Sequence, residues 1–338
     1  MSYHPLRPHM TRRQWVSLLS IGCVSLILSL VFWTVKSTGS IPFLGSRSDL
    51  PVIRIGTLFR AIDYAPYYVA KDKGWFEDAL KGEATVEHLP TFQSPPSASE
   101  ALGADRVDVL MTADVPIIVT RATGVKVRVP MLSCTLHSQI VVKKTSTHRR
   151  LSDLIGKRVA VAFGTGPHYG LLRNLQVASI DKSKVELLNM IPPDAKAAFS
   201  ANVIDAWAIF PPYIEQEILN GNGIALEDVT SPVQVVVSVR EQSMDTHREL
   251  IRRVLEQLQR ARTWIKANPA EAQDLMARLL DLPLDVVKLS WQRLDWNTSL
   301  DEPNVVEDFQ NKADFLFREK FIKTPINVRT SLLGWPNS

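Results

Sequence analysis

The chain has 338 residues, 45% of them hydrophobic and 22% charged, which supplies a sizeable core and excludes a low-complexity or disordered chain. Its 39 basic and 35 acidic residues leave a formal net charge of +4. The two signs are interleaved, and no helix or loop gathers basic residues beside aromatics, so nucleic acid is excluded as a partner.

The N-terminus comes first in chain order. Trp15 to Val35 carries no charged side chain. At helical rise it is long enough to cross the roughly 30 Å core of a bilayer. Arg7, Arg12 and Arg13 precede it and Lys36 follows, a bias that keeps the N-terminus cytoplasmic and places the rest across the membrane. Two readings compete: an uncleaved signal anchor, which the length favours, and a cleaved export signal, whose apolar region is usually about 7 to 15 residues. Both put the folded part in the periplasm or at the cell exterior, and the first tethers it to the inner membrane. Residues 1–36 are read as a cytoplasmic stub with this signal segment, and residues 37–50, containing Ser, Gly and Pro, as a linker. Cys23 and Cys134 lie far apart and build no disulfide framework.

Next, Val52–Gly56 reads as a strand, Thr57–Ala65 as a loop, and Pro66 opens a helix through Ala70. Ala84–Leu89 follows as a strand, Ser97–Gly103 as a short helix, and Asp108–Met111 as a strand ending at the tip Thr112–Pro116. The β-α-β-α-β order recurs in Val159–Phe163, a helix from Pro167, the strand Val185–Met190, the helix Asp194–Ser200 and the strand Asp205–Phe210, with Asp205 equivalent to Asp108. The β-branched runs Ser138–Lys144 and Val233–Val239 flank the second unit and give two crossings, the candidate hinges. Beyond Met244, apolar residues recur at three and four (Leu250, Ile251, Val254, Leu255, Leu258, Ala261, Ile265), a helical layer expected to cover the first unit. The resulting division is lobe 1, residues 51–137 and 240–330, and lobe 2, residues 138–239.

Within the second unit, the continuous apolar run Val159–Phe163 suits a parallel strand covered on both faces. It stops at Gly164-Thr165-Gly166-Pro167, where Thr165 is an N-cap and Pro167 fits the first helical turn. Such a turn leaves backbone N–H groups and a positive dipole end facing outward, which suits an anion; a simple strand-helix connection is the plain alternative. Arg60 offers a charge partner or pairs with Asp63, and His168 offers a donor or a cap. Trp207 offers an apolar wall or belongs to the core, and Asp205 and Asp108 brace their strands. No nucleophile with its base, no His-x-x-x-His pair and no Gly-x-Ser-x-Gly elbow occurs in the sequence, so no catalytic residue, metal site or cofactor is assigned.

Several of these stretches carry a family resemblance. Ala65-Pro66-Tyr67-Tyr68-Val69-Ala70-Lys71-Asp72-Lys73-Gly74-Trp75-Phe76, the tip Thr112-Ala113-Asp114-Val115-Pro116, Gly164-Thr165-Gly166 and Asn202-Val203-Ile204-Asp205-Ala206-Trp207-Ala208-Ile209 resemble the substrate-binding proteins of the nitrate, taurine and aliphatic-sulfonate ABC importers, the aliphatic-sulfonate branch above all. The resemblance implies an α/β, bilobed type II periplasmic-binding-protein fold, here with an N-terminal transmembrane helix. It also implies a small-molecule anion in the cleft and presentation to an ABC permease and its ATPase. By position, the ligand-facing residues implied are Phe59, Arg60, Thr112, Ala113, Asp114, Gly164, Thr165, Gly166, His168, Asp205 and Trp207. The chain departs from that pattern in its apolar Phe210-Pro211-Pro212 and in the charges of Arg60 and Asp63. Three rival classes stay open: a pyrimidine or heterocycle binder of the same fold, an enzyme related to thiamine-pyrimidine synthases, whose cysteine-rich motif this chain lacks, and a membrane-tethered sensory domain.

Overall fold

The computed structural model describes residues 50–335; the apolar run Trp15–Val35 and nearly all of the linker lie outside them. Among the described residues no helix is long and apolar enough to cross a membrane. Ten strands among the described residues make one mixed sheet: β1 (Val52–Thr57), β2 (Thr85–His88), β3 (Val109–Ala113), β4 (Val127–Lys143), β5 (Arg158–Val161), β6 (Glu186–Asn189), β7 (Ala206–Ile209), β8 (Gly223–Ala225), β9 (Ser231–Arg240) and β10 (Leu294–Asp295). Their order is β2-β1-β3-β9-β4-β7-β5-β6, with β8 and β10 each pairing β4 off that path. β1 is parallel to β2 and β3, and β5 is parallel to β6 and β7, so each unit read from the sequence forms its own parallel trio.

The two units share a brace at the start of their strands. Arg54 donates from its backbone N and from Nε to Asp108 Oδ2, each at 2.9 Å, and Arg158 does the same to Asp205 Oδ2 at 2.8 and 3.3 Å. Burial opposes the charge on both carboxylates, but these donors outweigh it and hold both below the usual carboxylate range. The equivalent placement of Asp108 and Asp205 in the sequence is therefore architectural.

β4 is 17 residues long and changes partner along its length. Val127 to Ser138 pair antiparallel with β9, while Gln139 to Val142 pair with β7. The two β-branched runs expected as separate crossings thus lie on neighbouring strands but at different levels: Val233–Val239 pairs with β3 and with Arg128–Leu136 of β4, whereas Gln139–Lys143 pairs with β7 and β8. The helix Gly166–Val177 packs on these runs at very short range. A β-carbon on Gly166 would fall 2.5 Å from Val233 Cγ2, and one on Gly170 would fall 2.6 Å from Ser231 Cβ, so both approaches require glycine. A smaller core is drawn entirely from residues between Ile140 and Val229, and a larger one runs through both trios, taking Ala160 and Trp207 as well as Ile55 and Val109. The apolar stripe of the helix Arg248–Ala267 is buried against the helices Ala65–Asp72 and Trp75–Leu80.

Candidate functional site

The chain segments leaving the ends of four strands converge on one small cavity. Phe59 follows β1, Ala113 ends β3, Thr165-Gly166-Pro167 follow β5, and Phe210 follows β7; all line a space of about 30 Å³, room for roughly one water. Phe59 holds a left-handed backbone, φ 62°, which a bulky residue seldom adopts. Two neighbours fix that conformation: the Phe59 N–H donates to Phe92 O at 2.8 Å, and the Leu58 N–H donates to Met111 O at 2.9 Å. The turn aims the Phe59 ring at Phe210, with centroids 5.7 Å apart, so the two aromatic rings close one wall between units distant in sequence.

The glycine turn supplies the polar part of another wall. Gly164 has φ 74°, and Thr165 Oγ1 donates to Ala162 O at 2.6 Å, which folds the turn back on its strand. Thr165 occupies the N-cap position, yet its hydroxyl accepts nothing from the helix. The first helical bond runs from Tyr169 N–H to Thr165 O at 3.1 Å, so the N–H groups of Gly166 and His168 precede the helical ladder. The positive end of the helix dipole therefore lies at the cavity wall formed by Thr165, Gly166 and Pro167. His168 braces the turn: its Nδ1 accepts from Gly164 N–H at 3.2 Å, and its ring stacks on Phe163 at 4.4 Å. Burial, with Lys182 adding to it, pushes the His168 imidazole down to about 4, so it carries no positive charge at neutral pH.

Of the eleven expected ligand-facing residues, Phe59, Ala113, Thr165 and Gly166 come together at this cavity and the other seven do not line it. Gly164 lines instead a larger, mostly apolar groove of about 640 Å³ beside the helices Pro95–Gly103 and Asp114–Ala122. Thr112 is buried in β3 opposite Val236. Asp114 is fully buried, and Lys312 Nζ at 2.6 Å and Gln234 N–H at 2.7 Å both donate to its Oδ2; an acid at a strand tip has become an internal ion pair. Asp205 is committed to Arg158, as described above, and Trp207 sits in the core with its ring 5.5 Å from Tyr213. Arg60 does not pair with Asp63; its guanidinium donates to Leu279 O at 2.7 Å on the exposed side.

The wall also contains residues outside the expected set, among them Asp63, Tyr64, Leu136, Phe210 and Val233. Asp63 is the most informative of them. Its residue exposure is 4%, and among the described residues its Oδ1 has no hydrogen-bond partner. Burial raises this carboxyl to about 7, against a smaller opposing contribution from its own backbone N–H. The signal available in the sequence was the charge in an otherwise apolar loop; what it lacked was the knowledge that the neighbouring arginine turns away. No Lys, Arg or His is among the described residues that line the cavity, and no group of three or more His, Cys, Asp or Glu among the described residues is placed to hold a metal ion.

Comparison with known proteins agrees with this architecture. A family model described as NMT1/THI5 like matches residues 61–272. A Bacillus subtilis protein named as a candidate aliphatic sulfonates-binding protein is 29% identical over 311 residues, covering 90% of this chain and 92% of its own. The taurine-binding periplasmic protein of Escherichia coli is 31% identical over 182 residues, 52% of this chain and 55% of its own. Among solved structures, the alkanesulfonate-binding protein SsuA from Xanthomonas axonopodis pv. citri bound to MOPS superposes with a TM-score of 0.74 at 21% identity, over 86% of this chain and all of its own. These relatives are named as binding proteins rather than enzymes. The mixed sheet, the four strand ends meeting at one cavity and the family match over most of the described residues lead to one conclusion: the chain has an α/β periplasmic-binding-protein fold and belongs to the NMT1/THI5-like family.

Proposed function

We propose that this protein is the extracytoplasmic solute-binding subunit of an ABC importer, without catalytic activity of its own. It would hold a small anion, such as an aliphatic sulfonate, taurine or nitrate, between two lobes. The single observation that carries this reading is the convergence of Phe59, Ala113, Thr165-Gly166 and Phe210 on one internal cavity with a helix N-terminus in its wall. The proposed division is lobe 1, residues 51–137 and 240–330, and lobe 2, residues 138–239. The partner switch of β4 at Ser138/Gln139 and the compact core confined to residues between Ile140 and Val229 support it. Trp15–Val35 is proposed as the membrane tether on its sequence alone, with a permease and its ATPase as the partners the closed form would meet. The names of the relatives support the sulfonate and taurine class.

The test is a thermal-shift screen of the full chain in detergent against methanesulfonate, ethanesulfonate, taurine, nitrate and a set of pyrimidines. A ligand at about 100 times its dissociation constant should stabilise the protein by roughly 2.7 kcal/mol. A shift with a sulfonate, taurine or nitrate and recovery of that ligand unchanged is the expected result. The pair of aromatic rings at 5.7 Å favours a second reading, a flat heterocycle; a response to a pyrimidine alone would replace the anion reading with it.

A further inference from the structure

The cavity wall has two polar features of opposite preference. One is the start of the helix Gly166–Val177, whose first N–H groups precede the helical ladder and favour negative charge. Elsewhere on the wall is Asp63, 4% exposed, with Oδ1 lacking a partner among the described residues. The rest of the lining is largely apolar: Leu58, Phe59, Ala113, Leu136, Phe210 and Val233. A buried acceptor left without a donor is destabilising, and native proteins seldom retain one outside a working site.

The charges around Asp63 do not complete it. Tyr64, beside it in sequence, Tyr68 on the helix Ala65–Asp72, and Cys134 on β4 are its titratable neighbours, and burial raises all three, so they stay neutral. From β4, Ser133 Oγ and Cys134 Sγ donate to the Asp63 backbone carbonyl, at 3.3 and 3.7 Å, not to its carboxyl. Arg60, the nearest cation in sequence, is engaged with Leu279 O. A simple anion entering this space would meet an ionised Asp63 as a like charge in a poorly solvated site. A ligand that carries an ammonium as well as an anionic group would satisfy both features of the wall.

Resting on the solute-binding reading above and narrowing it, we propose that Asp63 is a specificity-determining residue that accepts from the amine of a small zwitterion, of the aminoalkanesulfonate class, whose anionic end lies at the start of the Gly166–Val177 helix. The cavity of about 30 Å³ is too small for such a ligand, so the walls carrying Phe59 and Phe210 must part to admit it.

The test uses the full chain in detergent and two probes that differ only in the terminal ammonium, taurine and ethanesulfonate, titrated calorimetrically. At pH 8 wild type should prefer taurine by about tenfold or more, the range of a charge-assisted hydrogen bond. Asp63→Asn should abolish most of that preference by weakening taurine while leaving ethanesulfonate unchanged or tighter. Wild type provides a second measurement that needs no variant: the preference for taurine should shrink as pH is lowered from 8 to 5, because Asp63 takes up a proton and ceases to attract the ammonium. Ethanesulfonate bound as tightly as taurine, or a preference unaltered by both Asp63→Asn and pH, would overturn the proposal and leave the solute-binding reading intact. Binding of neither probe would overturn the proposal, and the nitrate and pyrimidine arms of the thermal-shift screen would then decide the solute-binding reading.

Discussion

Lys312 and Asp114 show how a single residue pair can look like a site and be a foundation. Both are fully buried, and Lys312 Nζ also reaches Asp308 Oδ2 at 2.5 Å and Pro232 O at 3.0 Å. Burial alone would lower the Lys312 ammonium, but Asp114 and Asp308 together overcome it and hold the group above the ordinary lysine value. Lys312→Met is therefore expected to cost about 3–5 kcal/mol, the range for stranding one buried charge, read as a fall in the denaturant midpoint. A loss within 0.5 kcal/mol, the ordinary range for surface changes, would show that the pair is not needed. His168 makes a prediction of opposite character. Its folded value of about 4 lies below the ordinary imidazole value of 6.5, so the unfolded chain binds the proton more readily. Stability should be fully present above about pH 6.5 and fall as pH drops towards 4, by up to roughly 3 kcal/mol from this group. His168→Gln should flatten that part of the pH–melting curve relative to wild type. Asp63 works in the reverse sense: its carboxyl is raised to about 7, so its burden appears as pH climbs from 3.8 towards 7. In the unliganded protein at pH 8, Asp63→Asn should raise the melting temperature.

At the level of elements, the contact between the helix Gly166–Val177 and β9 is the tightest constraint on the site. The glycine-containing turn was legible in the sequence because a buried strand ending at Gly-Thr-Gly-Pro leaves few local conformations. The function of its second glycine was not. Gly166 is there because Val233, far along the chain, leaves no space for a side chain: a β-carbon would also meet Val233 Cγ1 at 2.8 Å. Gly166→Ala should destabilise by about 1–3 kcal/mol as an overpacked contact, and Gly166→Ala combined with Val233→Ala should recover part of that loss. Chemical denaturation of the two variants checks it; equal destabilisation in both would point to the backbone of the turn instead. The strand braces tell the same story more simply. Asp108 and Asp205 are recognisable as equivalents in sequence, but only the paired strands reveal that Arg54 and Arg158 are their partners.

Across the whole molecule, the proposed closure of two lobes rests on β4 and β9 remaining paired while their outer ends serve different parallel trios. The space between Phe59 and Phe210 is nearly shut, which predicts that binding proceeds from a more open arrangement. A ligand found in the screen should therefore slow amide hydrogen exchange in the peptides containing Phe59, Thr165 and Phe210 more than in the helix Arg248–Ala267, which packs away from the cavity. Uniform slowing throughout the chain would argue against a cleft that closes locally.

By itself the sequence determined the two β-α-β-α-β units, the turn at Gly164 to Pro167 and the amphipathic C-terminal helix, because strand patterning, glycine and proline stereochemistry and helical periodicity are local properties. It also determined the family resemblance, since the Asp-Ala-Trp stretch is a contiguous string. The composition of the cavity was decided only by the tertiary structure. Phe59 meets Phe210 across separate units, Lys312 withdraws Asp114 into the interior, and Arg60 turns away from Asp63, whose Oδ1 has no partner among the described residues. Each of those outcomes depends on which distant group fills the space beside a side chain, and close packing settles that only when the whole chain has assembled.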